Sequence, residues 1–142
     1  MVRLAETIEI DAPADDVWRV AGRPERIGEF HPFVARATVS RDVRTCVLTD
    51  GTKLVERIVD RSEAHRFYTY TLTSARPSRG GYRACLAVRG HGHHSHVDWD
   101  VELQDGDDAL VAAGGVHAVL RIALERLRDR LEGDRRALVH HR

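Results

Sequence analysis

The chain has 142 residues with 22 basic and 22 acidic side chains, which leaves room for one domain with one core and a small-molecule cavity, and no net field to favour nucleic acid as a partner. No apolar run reaches the roughly 18 residues of a membrane span, and Met1 to Ile10 lacks the apolar centre of a signal peptide, so a cytoplasmic protein without stable membrane insertion is expected. Cys46 and Cys85 lie in separate strand-like runs without CxxC spacing, which fits free thiols in a reducing compartment.

From the N-terminus, Leu4, Glu6, Ile8 and Ile10 alternate with Ala5, Thr7 and Glu9, the period of a strand that stops at Asp11. Ala12-Pro13 then opens a short helix, with Asp15 and Asp16 in its first turn and Gly22 breaking it; Pro24 opens a second, which ends near Gly28. Phe30-His31-Pro32-Phe33 returns the chain to an extended path. Alternation marks further strands at 34–40, 43–49, 53–60, 66–74, 82–88 and 96–103, joined by turn chemistry such as Asp50-Gly51. Lys53 is the sole lysine, the one residue able to form a Schiff base, and is read as a solvated surface group.

Residues 108–131 read as a long amphipathic helix. Val116, His117, Leu120, Ala123, Leu124, Leu127 and Leu131 recur at spacings of three and four, with Arg121, Glu125, Arg128 and Glu132 opposite. Asp107 and Asp108 supply negative charge at its start; Gly133 predicts its stop, with a frayed tail over 133–142. Gly114-Gly115 predicts a kink or a late start, since each glycine costs about 1 kcal/mol against alanine. The order strand, two short helices, six strands, helix predicts one α+β domain with its core over about 3–132, an antiparallel sheet of about seven strands wrapped around the long helix.

Several residues in this order resemble the START-like (SRPBCC, helix-grip) superfamily, in its polyketide cyclase/dehydrase-like branch. They are Ala12-Pro13 with Val17-Trp18, Phe30-His31-Pro32, Arg44-Thr45, Asp50-Gly51, Glu56-Arg57, Asp60, Tyr68-Thr69-Tyr70, Pro77, Tyr82 and Val97-Asp98-Trp99. Leu120 and Ala123 stand where the family's long helix brings an aromatic and a glycine. The resemblance implies a deep cavity between sheet and helix that holds a hydrophobic or polycyclic ligand, and fixes no reaction, because members include cyclases, lipid carriers and hormone receptors.

Strand periodicity sorts the side chains by face. Val97, Trp99, Val101 and Leu103 share the inner face of the last strand, as do Tyr82, Ala84, Leu86 and Val88, then Tyr68, Tyr70 and Leu72, and then Arg44, Cys46 and Leu48 in theirs. The 53–60 run is ambiguous by itself, and the resemblance places Glu56 inside. The expected ligand wall is His31, Cys46, Leu48, Tyr68, Tyr70, Tyr82, Leu86, Trp99 and Leu120, with Arg44, Glu56 and His117 as candidates for chemistry. Arg44 and Glu56 on neighbouring strands either pair with each other, contact a ligand, or do both, because an unpaired buried charge costs several kcal/mol. Each tyrosine and each histidine also has a plain packing reading.

Two functions follow as expectations. In the first, a small cyclase or dehydratase acts without a cofactor on a polyketide-like or aromatic substrate: Glu56 or His117 removes a proton next to a carbonyl, and Arg44 or a tyrosine steadies the enolate oxygen. In the second, the same cavity carries or senses a hydrophobic molecule without changing it. The run His91-Gly92-His93-His94-Ser95-His96 invites a metal, but strand alternation sends His94 and His96 to a different face from His93, so a histidine-rich turn without a metal site is expected. The expected partner is a hydrophobic small molecule, with the chain a monomer or homodimer.

Overall fold

Alternating inner and outer residues produce seven antiparallel strands: β1 (Val2–Ile10), β2 (Val34–Ser40), β3 (Val43–Leu48), β4 (Lys53–Ser62), β5 (Phe67–Leu72), β6 (Tyr82–His91) and β7 (His94–Leu103). They form one sheet in the order β1-β7-β6-β5-β4-β3-β2, so the first strand closes against the last. The computed structural model describes residues 1–73, 81–104 and 109–140, with side chains of the last segment described from Gly114 to Ala137. Pro77, Ser74, Asp107, Asp108 and His141 therefore lie outside the described residues.

Register shifts between Val34 and Arg36, and between Ile58 and Asp60, interrupt the ladders. Bulges of this kind bend a strand and increase its twist, which helps a sheet to curl. Between β1 and β2 lie α1 (Ala14–Ala21) and a 3-10 helix (Pro24–Glu29). Pro13 sits at the cap position of α1 and Asp15 and Asp16 in its first turn. Gly22 ends α1, donating its N–H to the Trp18 carbonyl at 2.8 Å. A Cβ on Gly22 would stand 2.2 Å from the Trp18 ring, so only glycine lets the indole fold over this corner to reach Glu63 Oε2 at 2.7 Å.

The long helix α2 (Ala109–His140) packs chiefly over β1, with further contacts to β7 and α1. Ala123, Leu124 and Leu127 are fully enclosed beneath it. Two expectations are corrected here. The helix begins at Ala109, before Gly114-Gly115, so those glycines do not delay its start. It also runs through Gly133 to His140, and no tail frays at 133. Contacts on both sides hold Gly133 in the helix: Glu132 accepts from the Asp11 N–H at 3.4 Å, and Arg135 donates to the Asp11 carbonyl at 2.8 Å. These outweigh the roughly 1 kcal/mol preference of one glycine.

β6 and β7 extend further than alternation suggested, to His91 and back from His94, leaving Gly92-His93 as a two-residue turn with φ of +60° at Gly92. The histidine-rich run is thus mostly strand. Its members find separate partners: His94 lies 3.3 Å from Asp11, His96 lies 3.9 Å from Glu9, and the His91 and His96 rings meet edge to face. Among the described residues no three or more His, Cys, Asp or Glu side chains converge as metal ligands. No described helix is long and apolar enough to cross a membrane. Cys46 and Cys85 are free thiols.

Candidate functional site

The inner faces of β3 to β7 and the first half of α2 do not meet everywhere. Between them lies a cavity of about 680 Å³, within the range usual for small-molecule sites. Of the expected wall, His31, Cys46, Leu48, Tyr70, Tyr82, Trp99 and Leu120 line it, together with Glu56. Ile27, Phe33, Val34, Leu54, Ala84, Val101, Leu103, Val116, Val119 and Ile122 complete most of the lining. Ala84, Val101 and Leu103 were visible as inner-face residues, and Leu54 lies in the run whose face alternation leaves ambiguous; Val119 and Ile122 carried no such signal. Phe33 and Ile122, 53% and 44% exposed, stand where the cavity meets the surface.

Two expected wall residues sit elsewhere. Tyr68 and Leu86 are wholly buried in the packed core and do not reach the cavity. Each shares its strand face with a true lining residue, Tyr70 and Ala84, but lies two residues further along, where the sheet is packed solid.

At one end of the cavity a buried polar network interrupts the apolar wall. Arg44 has no exposed surface and Glu56 is 4% exposed; the Arg44 Nε donates to Glu56 Oε1 at 2.8 Å. They are register partners on β3 and β4, which is why the two side chains meet. Arg44 Nη1 donates to the Pro24 carbonyl at 3.1 Å and to the Tyr68 hydroxyl at 3.0 Å, and the guanidinium lies over the Tyr70 ring, 4.4 Å from its centroid. Burial disfavours the arginine's charge, yet Tyr68, Glu56 and Tyr70 outweigh it and raise its pKa well above the ordinary value.

On the cavity side, Glu56 Oε2 accepts a short hydrogen bond from the Tyr82 hydroxyl, and Oε1 a longer one from Cys46 Sγ at 3.5 Å. Every partner of Glu56 is a donor. Burial pushes the Tyr82 hydroxyl pKa far up, so it stays protonated, and pushes the Cys46 thiol up to about 12, which removes it as a nucleophile. Arg44 is not on the cavity wall: it holds Glu56 from behind and does not face a ligand.

His117 is also displaced from its expected place. Instead of lying on the buried stripe, its side chain is 51% exposed, with Nε2 2.7 Å from Glu6 Oε1 on β1. Arg121, one turn on, lies 3.8 Å from the same oxygen. The pair clasps helix to sheet outside the cavity.

His31 occupies the opposite role. It lines the cavity, meets the Trp99 ring edge to face at 6.4 Å, and accepts the Phe33 backbone N–H on Nδ1 at 3.1 Å. Burial pushes its pKa down to about 4. It is therefore neutral at physiological pH, and the occupied Nδ1 fixes its proton on Nε2.

This geometry can be set beside known proteins. Residues 1–132 match the family described as polyketide cyclase / dehydrase and lipid transport. The chain belongs to that family. Its sheet and grip-like long helix are the helix-grip fold of the START-like superfamily, and solved structures agree. The protein XoxI from Bacillus cereus superposes with a TM-score of 0.84 at 20% identity, covering 92% of this chain and 96% of that one. A Thermobifida fusca protein gives 0.75 at 29% identity over 92% and 93%. The di-domain ARO/CYC BexL from the BE-7585A biosynthetic pathway gives 0.80 at 17% identity, over 93% of this chain and 47% of that one. No curated protein matches in sequence. At such identities the superpositions of XoxI and BexL speak for the fold alone.

Proposed function

We propose that this family member binds a hydrophobic polyketide-like or aromatic molecule in the cavity and acts on it as a cyclase or dehydratase. The observation that carries the reading is the placement of Glu56: a buried carboxylate on a largely apolar wall, hydrogen-bonded to a tyrosine that also faces the cavity. Enclosure folds a flexible chain so that its reacting carbons meet, a proximity effect that can supply about 7–11 kcal/mol of the barrier. Tyr82 turns its proton from Glu56 to a substrate carbonyl oxygen, and the freed Oε2 takes a proton from the carbon beside that carbonyl. The resulting enolate carbon attacks a second carbonyl, forming the ring bond, and Glu56 returns its proton to the new alkoxide; Glu56 then removes the remaining proton from the same carbon as the hydroxyl leaves, so that a C=C bond forms and water departs. Arg44 keeps Glu56 fixed throughout.

The test uses a synthetic aryl 1,3-diketone with a second ketone placed for ring closure, followed by mass spectrometry for a product 18 Da lighter. Glu56→Gln, measured per folded molecule because it also leaves Arg44 buried without its anion, should lower turnover by about 100-fold, since a positioned general base contributes on the order of 10²–10⁴. Turnover equal to the parent's would remove Glu56 from the chemistry.

A second reading, a carrier that leaves its ligand unchanged, draws on one observation: both Glu56 oxygens already have partners within the protein. It predicts stoichiometric recovery of intact ligand and no lighter product.

Both readings need the cavity to be the binding site. Ala84 lies on its floor, paired in register with Tyr70 and with Val101. Ala84→Trp should fill part of the space and weaken the fluorescent probe N-phenyl-1-naphthylamine about tenfold, with little loss of thermal stability because the ring enters a void and not a packed core. Unaltered affinity in a folded variant would place the probe elsewhere.

A further inference from the structure

We infer that Tyr70 and His31 form a two-donor seat for a neutral carbonyl oxygen, so that the ligand is an aromatic ketone, ester or thioester held by its oxygen beside Trp99. The inference deepens the proposed function and rests on it.

Trp99 Nε1 can only donate, and it donates to the Tyr70 hydroxyl at 3.1 Å. Tyr70 must therefore accept there, and its own proton meets no acceptor among the described residues. Tyr82 differs, because with no ligand bound its proton already has an acceptor in Glu56. His31 repeats the situation of Tyr70: Nδ1 is occupied by the Phe33 N–H, so the ring carries its proton on Nε2, which likewise meets no acceptor among the described residues. Both residues line the cavity, and both are held against the same indole, Tyr70 by the hydrogen bond and His31 by an edge-to-face contact at 6.4 Å. Both donors face a mostly apolar hollow, so a ligand that displaces water from it strands them unless it brings an acceptor, and an oxygen that accepts from both avoids that cost.

Charge selects among oxygens. The cation behind this wall, Arg44, is spent on Glu56, and Glu56 itself faces the cavity. A carboxylate ligand would meet a like charge there and, among the described residues, no cation on the wall. A neutral carbonyl meets two donors and no repulsion, while a hydrocarbon leaves both donors unsatisfied.

The experiment compares 2-acetylnaphthalene, 2-ethylnaphthalene and 2-naphthoate by calorimetric titration into the intact protein. The ketone should bind about tenfold more tightly than the hydrocarbon and more tightly than the anion. Tyr70→Phe and His31→Leu should each erase most of that preference, in part because 2-ethylnaphthalene no longer strands a donor, and His31→Gln, which keeps an N–H donor, should restore part of it. In the unaltered protein the carbonyl stretch of ¹³C-labelled ketone should shift to lower frequency than in hexane, a reading that stands even if Tyr70→Phe does not fold. Equal affinities for ketone and hydrocarbon, tightest binding of the naphthoate, or a carbonyl stretch at its hexane value each overturns the inference and leaves the cavity reading intact. Failure of all three to bind overturns both.

Discussion

Arg44→Met should destabilise the protein by about 3–5 kcal/mol, because it leaves the Glu56 carboxylate buried without its cation. Arg44 is wholly enclosed and Glu56 almost so, which puts the lost contact in a largely dry place. The Pro24 carbonyl and the Tyr68 hydroxyl lose a donor in the same substitution. Urea unfolding monitored by tryptophan fluorescence checks the figure. The double variant Arg44→Met, Glu56→Leu should recover most of the stability, since a buried ion pair and an apolar replacement of similar volume are often close in free energy. A loss under about 1 kcal/mol in the single variant would mean that water reaches the pair. The same double variant separates the roles of the pair: if it is stable yet binds or turns over nothing, the charges serve the site and not the fold.

Most of the sheet was legible because each strand has one wet and one dry face. In β7, Val97, Trp99, Val101 and Leu103 are all buried, and their alternation with His96, Asp98, Asp100 and Glu102 states the face directly. The pairing of Arg44 with Glu56 was one of the alternatives that adjacent strands and the cost of lone buried charges left open, and the structure makes that pair. Helix ends were harder to read. Gly133 has the chemistry of a stop, but the ties of Glu132 and Arg135 to Asp11 are long-range, and local sequence carries no trace of them.

The case of His117 shows why a helical stripe is a poor guide to a cavity. Successive residues turn by about 100°, so His117 stands about that far round from Val116 and falls at the edge of the packed stripe, beside the surface residue Arg121. Val119 turns the other way, toward the hollow, and Ile122 lies one turn beyond it on that flank. A stripe of recurring leucines marks where the helix touches the sheet. The cavity lies where it does not touch, along the flank, and there no regular pattern is enforced by packing.

Lowering the pH from 7.5 to 4 should cost the fold about 3 kcal/mol through His31 alone. In the unfolded chain this imidazole takes up a proton near pH 6.5; in the folded chain, burial pushes its pKa down to about 4. Between those values the unfolded state binds a proton that the folded state refuses, so stability is complete above about 6.5, falls as the pH drops, and levels off below about 4. The geometry gives the refusal a cause: a proton on Nδ1 would confront the Phe33 N–H that now donates to it. His31→Asn offers a side-chain oxygen to that N–H and cannot titrate, so the gap in urea midpoint between parent and variant should change with pH across this window and hold steady above it. A gap that does not vary with pH would mean that water reaches the ring freely. Phe33 stands at the rim of the cavity, so acid that breaks its bond to His31 should loosen the entrance before the sheet itself gives way.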